Sequence, residues 1–279
     1  MSLFSGLFGH SSQKTYMHRV LEAEKLSHAY GFFGPKRIGK RTFAEELAVY
    51  IAPSKMERIT LSGDSGSLSV EEVREARERL MRSSFGGGKK VLLIDEAHTM
   101  TVSAQNSLLK VLEEPKGDTL IMLVSSAPER LLDTILSRLV VMRFSALQDD
   151  EIRAALQGKS EPEQIEEITR LANGHIGLAF HLLQEEAFQA HTEHVAAVEE
   201  FFTYSFAQKV AYIEALIKAK DADRLHEFFS IARAELHSEL IMQANPSRAQ
   251  ALQVLQEAEE AVRKNVNKQL SLERFARAV

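Results

Sequence analysis

The sequence predicts an α/β protein whose parallel sheet is followed by a helical C-terminal half. Three observations lead to this prediction. Short apolar segments alternate with helix-length amphipathic segments up to about residue 146. Beyond residue 147 the strand signals stop and helical periodicity continues alone. A glycine-bounded loop joins the first apolar segment to a helix, as in folds that cover a mostly parallel sheet on both faces.

The first apolar segment runs into a phosphate-loop motif. Gly34, Gly39 and Lys40 fit the pattern G-x-x-x-x-G-K, and a helix is predicted over residues 41–51. The backbone N–H groups of such a loop and the N-terminus of its helix bind phosphate. A second predicted strand ends in Asp95 and Glu96, and paired carboxylates there hold a metal ion that polarises a water. The two motifs together predict a nucleotide site.

Arg41 departs from the chemistry of that site. The motif needs Ser or Thr directly after the lysine, because the hydroxyl ligates Mg²⁺. A guanidinium has no lone pair for a metal and keeps its charge, and Thr42 is turned about 100° around the helix. Lys40 could still bind an anion through the loop. The favoured alternative is a vestigial loop in which Lys40 and Arg41 pair with Asp95 or Glu96.

The remaining elements follow from periodicity, caps and breakers. In the first half we predict helices at residues 10–25, 69–82, 103–114 and 129–137, and strands at residues 57–61, 119–124 and 139–144. In the second half we predict helices at residues 149–156, 162–172, 176–185 and 249–265, with a helical pattern from about residue 195 and a tail at residues 270–279. Without a Pro/Gly-rich linker, the domains are predicted at residues 1–146, 147–194 and 195–279.

Composition narrows the class of protein. The 279 residues include 44% hydrophobic and 26% charged residues, as in an ordinary soluble protein. The net charge of −5 argues against a protein that coats nucleic acid by itself, although residues 1–146 carry +3 and residues 147–279 carry −8. Without cysteine there is no disulfide and no thiolate metal site. No signal peptide or transmembrane segment is predicted, which fits a cytoplasmic protein.

Four stretches resemble the clamp-loader branch of the AAA+ ATPases. They are Leu-Ser-His-Ala-Tyr at 26–30, Ile-Asp-Glu-Ala-His-Thr-Met at 94–100, Ala-Gln-Asn-Ser-Leu-Leu-Lys-Val-Leu-Glu-Glu-Pro at 104–115 and Leu-Leu-Asp-Thr-Ile-Leu-Ser-Arg at 131–138. The resemblance covers nearly the whole chain, and residues 265–273 are similar to the family's collar helix. It implies a RecA-like P-loop AAA+ domain, a small helical lid and an all-α collar domain.

The resemblance also implies partners and an assembly. Such chains form a five-member ring that contains gamma/tau and delta clamp-loader subunits, opens the sliding clamp and places it on primed DNA. The apolar face of the 249–265 helix is then expected to join the subunits through four residues, which are Leu252, Leu255, Ala258 and Val262. No membrane partner is implied.

Two departures predict a ring member that does not hydrolyse ATP and acts as a fixed stator. Arg41 replaces the metal-binding hydroxyl, and Gly177 stands where the family's lid carries an arginine. The family's four-cysteine zinc module is missing as well, so we expect no metal and at most weak ATP binding. The alternative is a gamma/tau-like subunit that hydrolyses ATP and uses Thr42 for the metal. A branch-migration helicase is a third hypothesis, which the 94–138 resemblance disfavours.

The resemblance assigns roles to further residues. Ser125 matches a sensor of the γ-phosphate, although Ser at a strand end is also an ordinary cap. Ser137 and Arg138 match the pair that sends an arginine finger into a neighbouring subunit, the alternative being a surface salt bridge. Arg138 precedes a strand and is predicted at an end of the sheet, where ligands of open α/β folds gather. His98 is expected to form hydrogen bonds at a strand end rather than bind a metal.

Overall fold

The computed structural model describes residues 3–63, 66–81, 88–115, 118–219, 222–242, 246–263 and 266–279. The chain divides into two compact units, Met1–His181 and Leu182–Val279. The predicted boundary at residue 146 lies inside the first unit, and the predicted boundary at residue 194 lies inside a helix, Glu185–Thr203. The three-part division into AAA+ domain, lid and collar stays a prediction.

The first unit contains a parallel sheet, as predicted. The described strands are β1 (Ala29–Phe33), β2 (Arg58–Ser62), β3 (Lys90–Asp95), β4 (Thr119–Ser125) and β5 (Val140–Arg143). Their order across the sheet is β2-β3-β4-β1-β5, and every described pairing is parallel. All the strands therefore end at the same edge of the sheet, with β4 at its centre and β1 between β4 and the edge strand β5.

Helices cover both faces of this sheet because its strands are apolar on both sides. The helices of the first unit are α1 (Ser11–Glu22), α2 (Lys40–Ile51), α3 (Val70–Met81), α4 (Val102–Glu113), α5 (Asp133–Leu136), α6 (Asp149–Leu156), α7 (Pro162–Ala172) and α8 (Ile176–His181). Ile121 and Leu123 of β4 pack in the core with α3 and α4. Leu120 and Met122 pack in the opposite core with α1 and α2. Successive side chains of one strand thus supply two cores.

The predicted helix at residues 129–137 is wrong in its extent. The chain forms a 3-10 turn over Pro128–Arg130, and α5 is a single helical turn. Leu131 and Leu132 between them are extended. The side-chain oxygen of Gln105 accepts a hydrogen bond from the Leu132 amide at 2.8 Å, so a tertiary contact satisfies a donor that a helix would otherwise use.

The helix predicted at residues 176–185 is also shorter than expected, since α8 ends at His181 and a new helix begins at Glu185. Three turn residues therefore separate the last helix of the first unit from the first helix of the second.

The second unit is helical throughout its described residues. It comprises α9 (Glu185–Thr203), α10 (Phe206–Lys218), α11 (Ala222–Met242), α12 (Pro246–Arg263) and α13 (Lys268–Ala278). The last two residues of the predicted 249–265 helix lie outside the described residues. Aromatic rings of Phe201, Phe228 and Phe275 form the centre of the core, with ring centroids 5.3 to 6.3 Å apart.

One sequence expectation about α12 is wrong. Its apolar face packs into the core of its own unit, where Leu255 and Ala258 are fully buried and Leu252 and Val262 are partly buried. That face therefore stabilises the unit itself and is not a free joining surface. Among the described residues, no helix is both long and apolar enough to cross a membrane.

Candidate functional site

The phosphate loop follows β1 and requires glycine at both of its ends. The φ angles of Gly34 and Gly39 are 153° and 99°, and residues with a side chain rarely adopt such positive values. A Cβ atom at Gly34 would also lie 2.1 Å from the carbonyl oxygen of Phe144. Lys40 begins α2 directly after the second glycine. The sequence motif thus folds into the strand, loop and helix that it predicts.

Lys40 is turned back onto the loop. Its side chain is buried, the residue being 4% exposed, and Nζ donates a hydrogen bond to the Pro35 carbonyl oxygen at 2.5 Å. Burial lowers the pKa of Lys40 to about 8, and the carboxylates of Glu96 and Asp95 oppose that shift. The predicted pairing of Lys40 with a carboxylate is therefore replaced by a bond to the loop's own backbone.

Arg41 lies on the carboxylate that would hold a metal. Its Nη1 atom is 3.1 Å from Oδ2 of Asp95, whose side chain is 5% exposed, and Nε donates to Glu45 at 2.8 Å. Asp95 and Glu96 were the partners expected for Arg41 from the sequence, and the pairing with Asp95 is confirmed. A guanidinium repels a cation and supplies no ligand, so these residues do not fit a Mg²⁺ ion bound to nucleotide.

Glu96 and Ser125 are joined by His98. Ser125 Oγ accepts from the Ala127 amide at 3.1 Å and lies 3.1 Å from His98 Nδ1, so its hydroxyl can donate to that nitrogen. The hydrogen of the neutral imidazole is then on Nε2 of His98, which lies 3.3 Å from Oε2 of Glu96. Burial lowers the pKa of His98, against the opposing effect of Glu96. The expectation that His98 forms hydrogen bonds at a strand end is confirmed.

Gly177 contacts the phosphate loop directly. Its amide donates to the Arg37 carbonyl oxygen at 2.7 Å, and a Cβ atom at position 177 would lie 3.0 Å from the same oxygen. Arg37 itself has a φ of 58°, which turns that part of the loop towards α8. The place at which the family carries a lid arginine is thus occupied by a backbone contact.

The N-terminal segment covers the loop as well. His10 is buried, and its Nε2 donates to the Ile38 carbonyl oxygen at 2.6 Å. A Cβ atom at Gly39 would lie 2.9 Å from the Leu7 side chain. Sequence reasoning missed these contacts, because nothing in the sequence near His10 indicates that it returns to a loop almost thirty residues later.

Arg138 lies far from this loop along the sheet. It immediately precedes Leu139 and β5, and Val140 of β5 pairs with Tyr30 near the start of β1. The sequence expectation is corrected here, because Arg138 is at the amino-terminal edge of the sheet, whereas ligands of open α/β sheets gather at the carboxyl-terminal edge. The phosphate loop, Asp95 and Ser125 all lie at that carboxyl-terminal edge.

The Arg138 guanidinium has partners in its own chain. Nη1 donates to the Thr134 carbonyl oxygen at 2.7 Å and to the Ser137 hydroxyl at 3.2 Å. Nη2 is 2.7 Å from Oε1 of Glu113. The surface salt bridge that the sequence left as an alternative is therefore present, and it is compatible with a further role because the pair is partly exposed.

Gln105 is a buried polar residue that sequence reasoning did not single out. Its side-chain nitrogen donates to the carbonyl oxygens of Met100 and Arg130, both at 3.2 Å, and its oxygen accepts from Leu132. It thereby ties α4 to the segment that leads to Arg138. A polar residue between Ala104 and Leu108, on the apolar face of a predicted helix, is the signal that could have identified it.

No cluster of three or more His, Cys, Asp or Glu side chains suited to a metal occurs among the described residues. The site that the structure brings together is the covered loop, Arg41 on Asp95, and the network from Ser125 to Glu96. Ser137 and Arg138 form a separate feature at the other edge of the sheet.

Sequence comparison identifies relatives of this chain. Residues 54–148 match the family model described as "DNA polymerase III, delta subunit". The delta' subunit of Pseudomonas aeruginosa DNA polymerase III is 34% identical over 137 residues, which are 41% of this chain and 42% of that protein. The delta' subunit of Bacillus subtilis is 33% identical over 50% of this chain and 49% of that protein. The matches span about half the length of these curated relatives or less.

The tau subunit of Escherichia coli DNA polymerase III is a further relative, 27% identical over 77% of this chain and 38% of that protein. Among solved structures, the Holliday junction branch migration motor RuvB of Thermotoga maritima superposes with a TM-score of 0.52 at 16% identity, covering 84% of this chain and 76% of that chain. At that identity the superposition shows a shared fold alone. It agrees with the predicted α/β fold, in which a parallel sheet is followed by helices.

Proposed function

We propose that this chain, which belongs to the clamp-loader family of AAA+ proteins, is a delta'-like subunit of a DNA polymerase III clamp loader. Its partners are then gamma/tau and delta subunits, the sliding clamp, and primed DNA bound by the assembly. It acts as a stator that does not hydrolyse ATP and offers Arg138 to a neighbouring subunit. The observation that carries this proposal is the contact between Arg41 and Asp95, combined with an Arg138 that lies at the opposite edge of the sheet.

The first half of the proposal is the absence of ATP hydrolysis by this chain. Phosphoryl transfer relies on a metal to neutralise charge on the phosphates. Arg41 contacts the carboxylate that would hold this metal, and Lys40 donates to Pro35. The Gly177 amide contacts the loop where the lid would otherwise offer an arginine. These three contacts disfavour the gamma/tau-like alternative.

The second half concerns Arg138. Because it lies at the amino-terminal edge of the sheet, it cannot serve the loop of its own chain at the carboxyl-terminal edge. A nucleotide that it contacts must therefore belong to another subunit. An arginine supplied in trans stabilises the charge that develops on the γ-phosphate and increases the rate by roughly 10³ to 10⁵.

Two measurements test the proposal. The isolated chain should hydrolyse ATP at background rate with Mg²⁺, with or without clamp and primed DNA. Turnover above about 0.1 s⁻¹ that Lys40→Ala abolishes would favour the gamma/tau-like enzyme, since typical enzymes exceed that rate. In a reconstituted ring, Arg138→Ala should lower the ATPase only in part, because other sites remain, and should lower clamp loading further.

Arg138→Lys should not restore the rate, because lysine lacks the planar fork that binds two phosphate oxygens. Arg143→Ala is the matched control, since Arg143 is an exposed arginine at the other end of the same strand. Unchanged ATPase and unchanged loading with Arg138→Ala would show that Arg138 is not a finger.

A further inference from the structure

Arg138 is only partly committed to its own chain. Within the described residues three hydrogen bonds use its N–H groups, two from Nη1 and one from Nη2. A guanidinium carries five N–H donors. Two donors therefore remain for an external acceptor while the three internal hydrogen bonds stay in place.

Glu113 is the one charged group among these acceptors. It is the last residue of α4, and its Oε1 atom lies 2.7 Å from Nη2 of Arg138. Leu108, Val111 and Leu112 bury the apolar face of α4 in the core, so the backbone that carries Glu113 is rigid. A carboxylate at a helix C-terminus is unfavourable because of the helix dipole, and the cation of Arg138 compensates for it.

This pair contributes little to the stability of the fold. The side chains of Arg138 and Glu113 are 34% and 49% exposed, and water screens ion pairs of that kind. Its effect on the orientation of Arg138 is larger. A free arginine side chain samples many rotamers, and that freedom is lost when the guanidinium must meet a phosphate in one geometry.

We propose that Glu113 is the positioning residue of Arg138, and that it holds the guanidinium so that its two remaining N–H donors face one fixed direction before a neighbouring nucleotide arrives. This inference rests on the proposed function of Arg138 as a finger. Glu113 does not touch the nucleotide. It acts by restricting Arg138 in advance, which lowers the entropy that the transition state would otherwise cost.

The test compares five variants in the reconstituted ring with its gamma/tau and delta subunits, clamp and primed DNA. Arg138→Ala defines the Arg138-dependent part of the ATPase. Glu113→Ala should lose about nine-tenths of that part through kcat, a tenfold effect, with an unchanged KM for ATP because the neighbour's own loop binds the nucleotide. Glu113→Gln keeps an oxygen acceptor in place and should retain most of the rate.

Glu114→Ala is the matched control, since this exposed glutamate is the next residue along the chain, and it should leave the rate unchanged. The double variant Glu113→Ala with Arg138→Ala should be no slower than Arg138→Ala alone, because Glu113 acts only through Arg138. Equal melting temperatures for all variants exclude a loss of folding as the cause.

The outcomes separate this inference from the proposed function. An unchanged rate with Arg138→Ala would overturn the finger itself. A loss with Arg138→Ala but none with Glu113→Ala would overturn the positioning role alone. Equal losses with Glu113→Gln and Glu113→Ala would also contradict it, since a retained acceptor should preserve the orientation.

Discussion

The amide nitrogen of Gly177 lies 2.7 Å from the carbonyl oxygen of Arg37, so the N-terminus of α8 is hydrogen-bonded to the phosphate loop. A Cβ atom at position 177 would lie 3.0 Å from that oxygen, so a side chain there would require the two backbones to shift apart. It brings together residues that are 140 positions apart in the sequence, and the close approach favours glycine at position 177.

Gly177→Ala should therefore destabilise the first unit. Its Cβ atom would lie 3.0 Å from the Arg37 oxygen and 3.2 Å from the Arg37 Cβ, so the loop or α8 has to move. We expect a decrease of about 1 to 3 kcal/mol in the free energy of unfolding, measured by urea denaturation. Gly88→Ala is the control, because a Cβ atom there has no neighbour within 4 Å among the residues that the structure describes. Equal stability of the two variants would contradict the close contact.

Arg41→Thr should not create an ATPase. The substitution restores a hydroxyl after the lysine, but the Gly177 contact and the bond from Lys40 to Pro35 are unchanged. Its free energy of unfolding should fall by about 1 kcal/mol, because the buried Asp95 loses a charge-assisted partner. Phosphate release and urea denaturation measure the two effects.

Glu45→Ala serves as the control for that variant. It removes only Glu45, the exposed partner of Arg41 one turn along α2. An exposed ion pair of this kind contributes about 0.2 to 0.5 kcal/mol to the free energy of unfolding. Hydrolysis of ATP by Arg41→Thr at about 1 s⁻¹ would show that the metal ligand alone was missing.

The stability of the first unit should depend on pH through Lys40. Its pKa is about 8 in the folded chain and 10.5 ordinarily, so between those values the unfolded chain binds more protons and unfolding becomes less favourable as pH rises. Relative to Lys40→Met, the free energy of unfolding of the native chain should rise by about 1 to 3 kcal/mol as pH increases from about 8 to 10.5, and it should fall by the same amount as pH returns to about 8. Urea denaturation at several pH values measures the difference.

Lys55→Met removes an exposed lysine and is the control. Its free energy of unfolding should differ from that of the native chain by the same amount at every pH. If the free energies of unfolding of the native chain and Lys40→Met differ by the same amount at every pH, Lys40 is not buried in the way that the structure shows.

Assembly should depend on an exposed apolar pair in the second unit. Val266, just before α13, and Leu270, in its first turn, are 59% and 61% exposed. Val266→Ser combined with Leu270→Gln should weaken binding to gamma/tau and delta about tenfold or more, measured by co-elution and calorimetry, because burial of such side chains drives association. Deleting residues 249–279 is a poorer test, since Leu255 and Phe275 belong to the core of the unit itself.

Val49→Ser with Met56→Ser, an exposed apolar pair in the first unit, is the matched control. Normal assembly by the Val266 and Leu270 variant would rule out this end of α13 as a subunit contact.

Local patterns were sufficient for much of the fold. The sequence predicted the parallel sheet, the glycine-bounded loop, and α6 and α7 at the residues where they occur. Helix starts, turn glycines and the alternation of apolar residues depend on neighbours within a few positions, so they can be recognised in a sequence. The predicted helix at residues 129–137 failed because Gln105, far away in the chain, holds Leu132 in an extended conformation.

By itself the sequence determined which chemical groups are present and which are missing. It showed a phosphate loop with Lys40, a metal-binding hydroxyl replaced by Arg41, and an arginine at position 138. Only the tertiary structure decided which atoms meet. It pairs Arg41 with Asp95 and hydrogen-bonds the Gly177 amide to the Arg37 carbonyl oxygen. It also pairs Arg138 with Glu113 at the edge of the sheet opposite the loop. The physical reason is that these contacts join residues 25 to 140 positions apart, and the packing of the whole sheet with its helices brings them together.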